Sequence, residues 1–250
     1  MPVSESTPYQ RADRALVERG LFESRAKARE AIEAGLVSIE GRVLLKASAL
    51  VAPSDRIEAA APYPWVSRGG VKLAAALDAF GFNPQGLICL DVGASTGGFT
   101  DVLLSRGAAQ VYAVDVGRGQ LHPRLKADPR VIAKEALDVR KLTSTDFQEP
   151  LQLITCDVSF ISLKLVLPTI ISLAPPMSML VALIKPQFEV GPAFVVKGIV
   201  KNEAARERAR DEIESFVQNS GCVVAGVIPS PIEGGDGNRE YLIGARKMAE

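Results

Sequence analysis

The chain has 250 residues and a mass of 26.7 kDa, room for one or two domains with a sizeable core. Hydrophobic residues at 47% and charged residues at 23% match a soluble globular protein, and 29 Lys+Arg against 29 Asp+Glu exclude a polybasic, histone-like chain, so any nucleic-acid contact must come from local patches. Cys89, Cys156 and Cys222 are odd in number and far apart, which argues against a disulfide framework or a zinc site. The opening MPVSESTPYQRADR has no apolar core of the kind a secretory signal needs, so a cytoplasmic protein is expected.

In chain order, RADRALVERG reads as a short helix ending at Gly20, and SRAKAREAIEAG as a second helix, N-capped by Ser24 and closed by Gly35. VSIEGRVLL then reads as a tight hairpin with Glu40-Gly41 at the turn and Val37, Ile39, Val43 and Leu45 in its strands; DRIEA is a third strand, closing the unit near Ala60. Ala28, Ile32 and Leu36 share one helical face and Arg25 and Arg29 another, so one side packs and the other is cationic. Residues 11–46 hold eight Lys/Arg against six Asp/Glu, and that excess alone equally describes a solvated helix face. The pieces R-x-D-x-x-L, SR-x-x-A, I-x-x-G-x-V and D-x-I follow one another in an order that resembles the αL RNA-binding motif of a small-subunit ribosomal protein and of pseudouridine synthases. The resemblance implies an RNA-facing helix beginning at Ser24-Arg25, with Arg11, Arg14, Arg25, Lys27 and Arg29 on phosphates.

APYPWVSRGGVKL, holding the single tryptophan, reads as a linker over residues 62–68 leading into a helix from about Gly70 to Phe80. This predicts an RNA-binding domain over residues 1–61 and a second domain over 69–250. Trp65 either couples the two or packs, and the area a tryptophan buries favours packing. Beyond it the apolar runs LICLDVG, QVYAVDV, RVIA, LQLITCDV and SMLVALI alternate with helical segments, and CVVAGVIPS and REYLIGARK close the chain with no helix between them. The pattern predicts an α/β fold: a doubly wound, Rossmann-like sheet with helices on both faces and an antiparallel last strand. Leu165–Ile184 is twenty residues without a charge, enough to span a bilayer, but it contains Pro168 and the pair Pro175-Pro176, and a Pro-Pro in mid-segment breaks it into a short helix, a turn and a strand, so no membrane span is predicted. Arg206, Arg208 and Arg210, interleaved with Glu203, Glu207 and Asp211, predict a solvated, salt-bridged helix face. His122 is the single histidine and no G-x-S-x-G accompanies it, so a hydrolytic triad is disfavoured and it reads as a loop histidine.

The first chemistry-bearing stretch is LDVGASTGGFT, which ends a strand and opens a helix and contains Asp91, Gly93, Ala94, Ser95, Gly97, Gly98 and Phe99. Its G-x-x-x-G-G spacing departs from G-x-G-x-x-G, which disfavours NAD. D-x-G-x-x-x-G instead resembles the S-adenosylmethionine loop of Rossmann-like methyltransferases. That resemblance implies S-adenosyl-L-methionine as cofactor, with Asp115 at the next strand end on the ribose hydroxyls and Asp138 after the third strand accepting from the adenine amino group. Taken singly, each Asp equally reads as a helix cap, and it is the three in register that point to a site.

TCDVSF lacks the Asn/Asp-Pro-Pro-Tyr/Phe of amino methyltransferases. Lys72 in SRGGVKL, Asp157 in CDVSF, Lys185 in ALIKPQFE and Glu240 in GNREYL resemble, in order and strand placement, the Lys-Asp-Lys-Glu catalytic tetrad of FtsJ-type ribose 2′-O-methyltransferases. The resemblance also places Asp157 beside the cofactor and Arg68 on the RNA side. A ribose hydroxyl is a poor nucleophile until its proton is lost or shared; Lys185 would hold positive charge against it or accept the proton, while Asp157 and Glu240 orient the two amines. Joining an αL unit to such a domain resembles the TlyA family, also named haemolysin A, which implies methylation of cytidine ribose in ribosomal RNA and ribosomal subunits as partners. Two other classes make different demands: a membrane-active haemolysin needs an uninterrupted apolar helix and an export signal, and a non-catalytic RNA-binding protein would carry a broken tetrad or loop.

Overall fold

The structure, a computed structural model, describes residues 9–235 and 237–249. The chain divides into two compact units between Pro64 and Trp65. The smaller contains β1 (Gln10–Arg11), α1 (Ala12–Glu18), α2 (Arg25–Glu33), β2 (Val37–Ile39), β3 (Arg42–Val43), β4 (Leu50–Val51) and β5 (Ile57–Ala59). Helix α2 starts where Ser24 turns extended and its hydroxyl accepts from the Lys27 amide at 3.3 Å. Glu40 and Gly41 have φ of 48° and 75°, the left-handed pair that a two-residue turn between β2 and β3 requires. Strands β3, β2 and β5 form one antiparallel sheet, and β1 pairs with β4 apart from it. Ala12, Ala15, Leu16, Ala28, Ala31, Ile32 and Val37 make the core. Leu36 was expected on that face but is exposed, because α2 ends before the left-handed Gly35 and the helical period no longer applies to it.

The larger unit runs α3 (Gly69–Phe80), β6 (Ile88–Val92), α4 (Gly98–Ser105), β7 (Gln110–Val114), α5 (Pro123–Lys126), β8 (Val131–Lys134), β9 (Leu153–Cys156), α6 (Leu163–Leu173), β10 (Met179–Ile184), α7 (Pro186–Glu189), α8 (Glu203–Asn219), β11 (Cys222–Pro229) and β12 (Tyr241–Lys247). The sheet order is β8-β7-β6-β9-β10-β12-β11, parallel from β8 to β10, with β12 antiparallel to both neighbours. Both sheet faces are covered, which is why the strands read as continuous apolar runs. Leu90 and Ile154 point into one core with Leu167 and Ile213, and their neighbours Cys89 and Leu153 into the other with Leu73 and Leu77. The strand order reverses between β6 and β9, so a crevice opens at the carboxyl ends there.

Leu165–Ile184 resolves into most of α6, which carries Pro168 inside it, a turn at Pro175-Pro176 and β10, and among the described residues no helix is long and apolar enough to cross a membrane. Helix α8 is not solvated along its whole charged face. Arg208 is exposed and Arg210 half-buried over the Tyr241 ring, but Arg206 is buried and donates to the carbonyls of Val200 and Lys201, because position 206 falls on the same inward stripe as Ala205, Ala209 and Ile213.

Candidate active site

Strand register brings the polar residues together. Ile184 pairs with Tyr241 across β10 and β12, so Lys185 and Glu240, the next residue outward on each strand, stand side by side at the carboxyl edge. Ala182 pairs with Cys156 and Val92 with Cys156, which puts Asp157 and Gly93 at the same edge. Lys72 arrives from the first turns of α3.

The four form two ion pairs. Lys72 Nζ lies 2.5 Å from Glu240 Oε2, both side chains almost wholly buried. Lys185 Nζ lies 2.6 Å from Asp157 Oδ1 and donates to Ser159 Oγ at 2.8 Å. The Asp157 contact is off the line of a hydrogen bond, so Oδ1 carries charge attraction without a donated proton. Ser159 was not singled out from sequence, and its place two residues after Asp157 in CDVSF was the available signal. Asn238 was missed too: it is buried, accepts from Val200 N at 3.1 Å, donates to Gly198 O at 2.8 Å, and so holds the turn that delivers Glu240.

The loop after β6 is shaped by glycine. Gly93 has φ 79°, its amide and that of Ala94 both donate to Val114 O, and a Cβ on it would run into the Asp157 carbonyl. A cavity of about 440 Å³ opens beside it, walled by Val114, Val116, Leu137, Val139 and Val166 and carrying Ser95, Asp115, Asp138 and Asp157. A second, of about 240 Å³, shares Gly93, Ser95 and Asp157 with the first and adds Arg68, Lys72, Ala94, Gly98 and Phe99. An apolar slot with a few convergent polar groups suits a nucleoside-sized ligand. Asp115 accepts from the amides of Ser95 and Gly117, each at 2.7 Å. Asp138 accepts from the Arg140 amide at 3.0 Å and is forked by the Arg140 guanidinium, which holds its carboxyl down at about 2.

Two residues expected in the loop site stand behind it. Asp91 is wholly buried, its Oδ2 accepting from Thr100 Oγ1 at 2.7 Å and its Oδ1 from Thr155 Oγ1 at 3.0 Å, and burial pushes its carboxyl up to about 6. It ties β6 to α4 and β9 and lines neither cavity. Gly97, at φ 99°, also lies outside both linings, against Leu121 and Leu125. Trp65 packs its ring on Gly70, where a side chain would collide with it. His122 caps α5, its Nδ1 accepting from the Arg124 amide at 3.2 Å.

In the smaller unit the predicted RNA contacts separate into two sets. Arg11, Arg25 and Arg29 converge on the fully buried carboxylate of Asp13, with N–O distances of 3.1, 2.8 and 3.9 Å. Arg14 turns instead to Glu18 at 2.6 Å, and Lys27 lies toward Glu23 and over the Tyr63 ring. Arg68, in the larger unit, lines the smaller cavity. Among the described residues no group of three or more His, Cys, Asp or Glu is placed to hold a metal ion.

With this geometry in view, residues 65–247 match the FtsJ-like methyltransferase family and residues 10–57 the S4 domain. The chain is 42% identical over 243 residues, 96% of its length and 91% of the relative's, to the 16S/23S rRNA (cytidine-2′-O)-methyltransferase TlyA of Mycobacterium tuberculosis. It is 38% identical to Hemolysin A of Brachyspira hyodysenteriae, across 93% of this chain and 98% of that one. A solved structure of a provisionally named hemolysin from Streptococcus thermophilus superposes with a TM-score of 0.76 at 39% identity, covering 97% of this chain and 90% of that one.

Proposed function

Because the chain belongs to the FtsJ-like methyltransferase family, with an S4 domain ahead of the methyltransferase unit, we propose that it transfers the methyl group of S-adenosyl-L-methionine to the 2′-hydroxyl of cytidine in ribosomal RNA. The observation that carries this reading is the pair of lysine–carboxylate ion pairs, Lys72–Glu240 and Lys185–Asp157, with Lys72 and Asp157 lining one cavity.

The residues fit the cofactor. The larger cavity offers apolar walls for an adenine ring, Asp138 beside them for its amino group and Asp115 for ribose hydroxyls, and the glycine loop leaves room for the amino-acid portion in the smaller cavity. When bound, S-adenosylmethionine supplies a sulfonium methyl that an oxygen nucleophile can take in one displacement.

The chain's own work is on the hydroxyl. Lys185, steered by Asp157 and Ser159, holds an ammonium where negative charge grows on the ribose oxygen, or takes its proton. Lys72 adds a second positive charge, and Glu240 keeps that charge fixed and the site near neutral. Much of the rate then comes from placement and electrostatics rather than from covalent chemistry. Arg11, Arg14, Arg25, Lys27, Arg29 and Arg68 are the candidate phosphate contacts, and the ribosomal subunits are the partners in this reading, set in the cytoplasm.

The test is transfer of labelled methyl from S-adenosylmethionine to purified 30S and 50S subunits by wild type and Lys185→Ala, with mapping of ribose methylation. Label at a cytidine 2′-oxygen that disappears in Lys185→Ala supports the reading. Cofactor binding without transfer to either subunit overturns it.

A further inference from the structure

A carboxylate with no exposed surface is costly unless it is paired, and Asp13 in α1 is paired three times over. The guanidiniums come from different places: Arg11 from β1, Arg25 from the first turn of α2 and Arg29 from its second. Arg11 and Arg25 each donate along one edge to Asp13 and Arg29 stands at ion-pair distance, and with side chains 48%, 55% and 53% exposed all three keep further donors toward solvent. Three positive charges around one negative charge leave the group net cationic. Without the carboxylate the three would repel and spread.

We propose that Asp13 is a positioning residue for RNA binding, fixing Arg11, Arg25 and Arg29 as a convergent seat for one backbone phosphate. Arg14 and Lys27 do not belong to this seat, since each lies toward a glutamate on its own stretch of chain, Glu18 and Glu23. The inference rests on the proposal that the substrate is RNA, and it adds an acidic residue to a basic face. Net charge and positioning therefore make opposite forecasts. Neutralising a carboxylate on an RNA-binding face strengthens binding if charge alone governs, and weakens it if the carboxylate organises the arginines.

The experiment uses the full-length chain and a fluorescein-labelled RNA hairpin, with affinity measured by anisotropy across a salt series for wild type, Asp13→Asn, Arg25→Ala and the double variant. Expected for Asp13→Asn is affinity at least about fivefold weaker, with the slope of log affinity against log salt reduced by roughly 1, the loss of one phosphate contact. Arg25→Ala should cost about fivefold in the wild-type chain and less than twofold in the Asp13→Asn background, because the arginine is then already misplaced. Affinity of Asp13→Asn equal to or above wild type, or additive losses in the cycle, overturns the proposal. If circular dichroism shows Asp13→Asn unfolding the smaller unit, Asp13→Glu takes its place: net charge is kept while the carboxylate moves by one methylene, and undiminished affinity overturns the idea. In methyl transfer the loss should fall on KM for RNA rather than on kcat. A wild-type chain that binds the hairpin but methylates neither subunit removes the proposed function and leaves the seat standing; methylation with Asp13→Asn unchanged in affinity does the reverse.

Discussion

The ammonium of Lys72 and the carboxylate of Glu240 meet 2.5 Å apart in a buried setting although 168 positions separate them in the chain. One side comes from the first helix of the larger unit and the other from the residue before its last strand, so the pair closes the unit as well as standing at the proposed site. The two roles separate experimentally. Glu240→Ala leaves a buried ammonium without its partner and should cost about 3–5 kcal/mol in unfolding free energy. Replacing both partners by apolar residues, Lys72→Met with Glu240→Leu, removes the unpaired charge and should cost distinctly less. Both variants should lose methyl transfer by about 100-fold or more, since the charge is gone from the site in one and misplaced in the other. Chemical denaturation beside a transfer assay reads both quantities. A double variant as unstable as Glu240→Ala would show that the ion pair is not the source of the loss.

Asp91 gives the larger unit a pH signature. Burial raises its carboxyl from the ordinary value to about 6, so between about pH 4 and 6 the folded chain holds a proton that the unfolded chain has released. The stability this group contributes is therefore complete below about pH 4 and lost as pH rises through 6. Asp91→Asn abolishes the titration. Relative to wild type, the unfolding free energy of Asp91→Asn should improve by about 2–3 kcal/mol from pH 4 to pH 7. Urea unfolding at pH 4, 5, 6 and 7 checks it, and a difference that stays flat across the series defeats the assignment. Taking the difference cancels the opposite trend of Asp13 and Asp138, whose arginine partners hold them near 2 and whose contribution is lost at more acid pH.

What was legible in the sequence was local or ordered. Ser24 as a cap, Glu40-Gly41 as a left-handed turn, Pro175-Pro176 as the end of a helix and Gly93 as the bend after β6 each state their geometry within a few residues. The four polar residues of the site were found because a family pattern keeps them in order, not because spacing revealed contact. Residues that act through distant partners were not legible. Asp13 sits between Arg11 and Arg14 with nothing local to mark it as buried, and only the return of α2 brings Arg25 and Arg29 onto it. Arg206 hid in alternating charge, where the inward stripe of Ala205, Ala209 and Ile213 was the better guide. Asp91 was expected in the cofactor site because it opens the motif, but Thr155 arrives from another strand to take its second oxygen.

Asp138 and Arg140 test the larger cavity without touching the lysines. The fork between them fixes a carboxylate against the apolar wall, and the Arg140 amide bonds to the same group. Asp138→Ala should weaken binding of S-adenosylmethionine about tenfold, one lost hydrogen bond to a charged acceptor. At saturating cofactor the transfer rate should stay within about twofold of wild type, because uniform binding is lost rather than transition-state stabilisation. Isothermal titration and a cofactor saturation curve measure the two. A variant that binds normally but transfers slowly would move Asp138 out of the cofactor site.

Gly93 and Gly86 separate backbone strain from collision. Both have left-handed φ, 79° and 74°, so an alanine at either is strained by about 1 kcal/mol or somewhat more. At Gly86 a Cβ would meet nothing within 4 Å, whereas at Gly93 it would run into the Asp157 carbonyl. Gly86→Ala should therefore lose only stability and bind S-adenosylmethionine as wild type does. Gly93→Ala must also push the loop after β6 away from the end of β9, parting walls that both cavities share. Its cofactor affinity should fall at least tenfold beyond the Gly86→Ala control, and transfer should fall further as Asp157 shifts from Lys185. Equal cofactor affinity in the two alanine variants would mean that the loop relaxes around the added methyl, and that the close approach of Gly93 to Asp157 does not set the shape of the site.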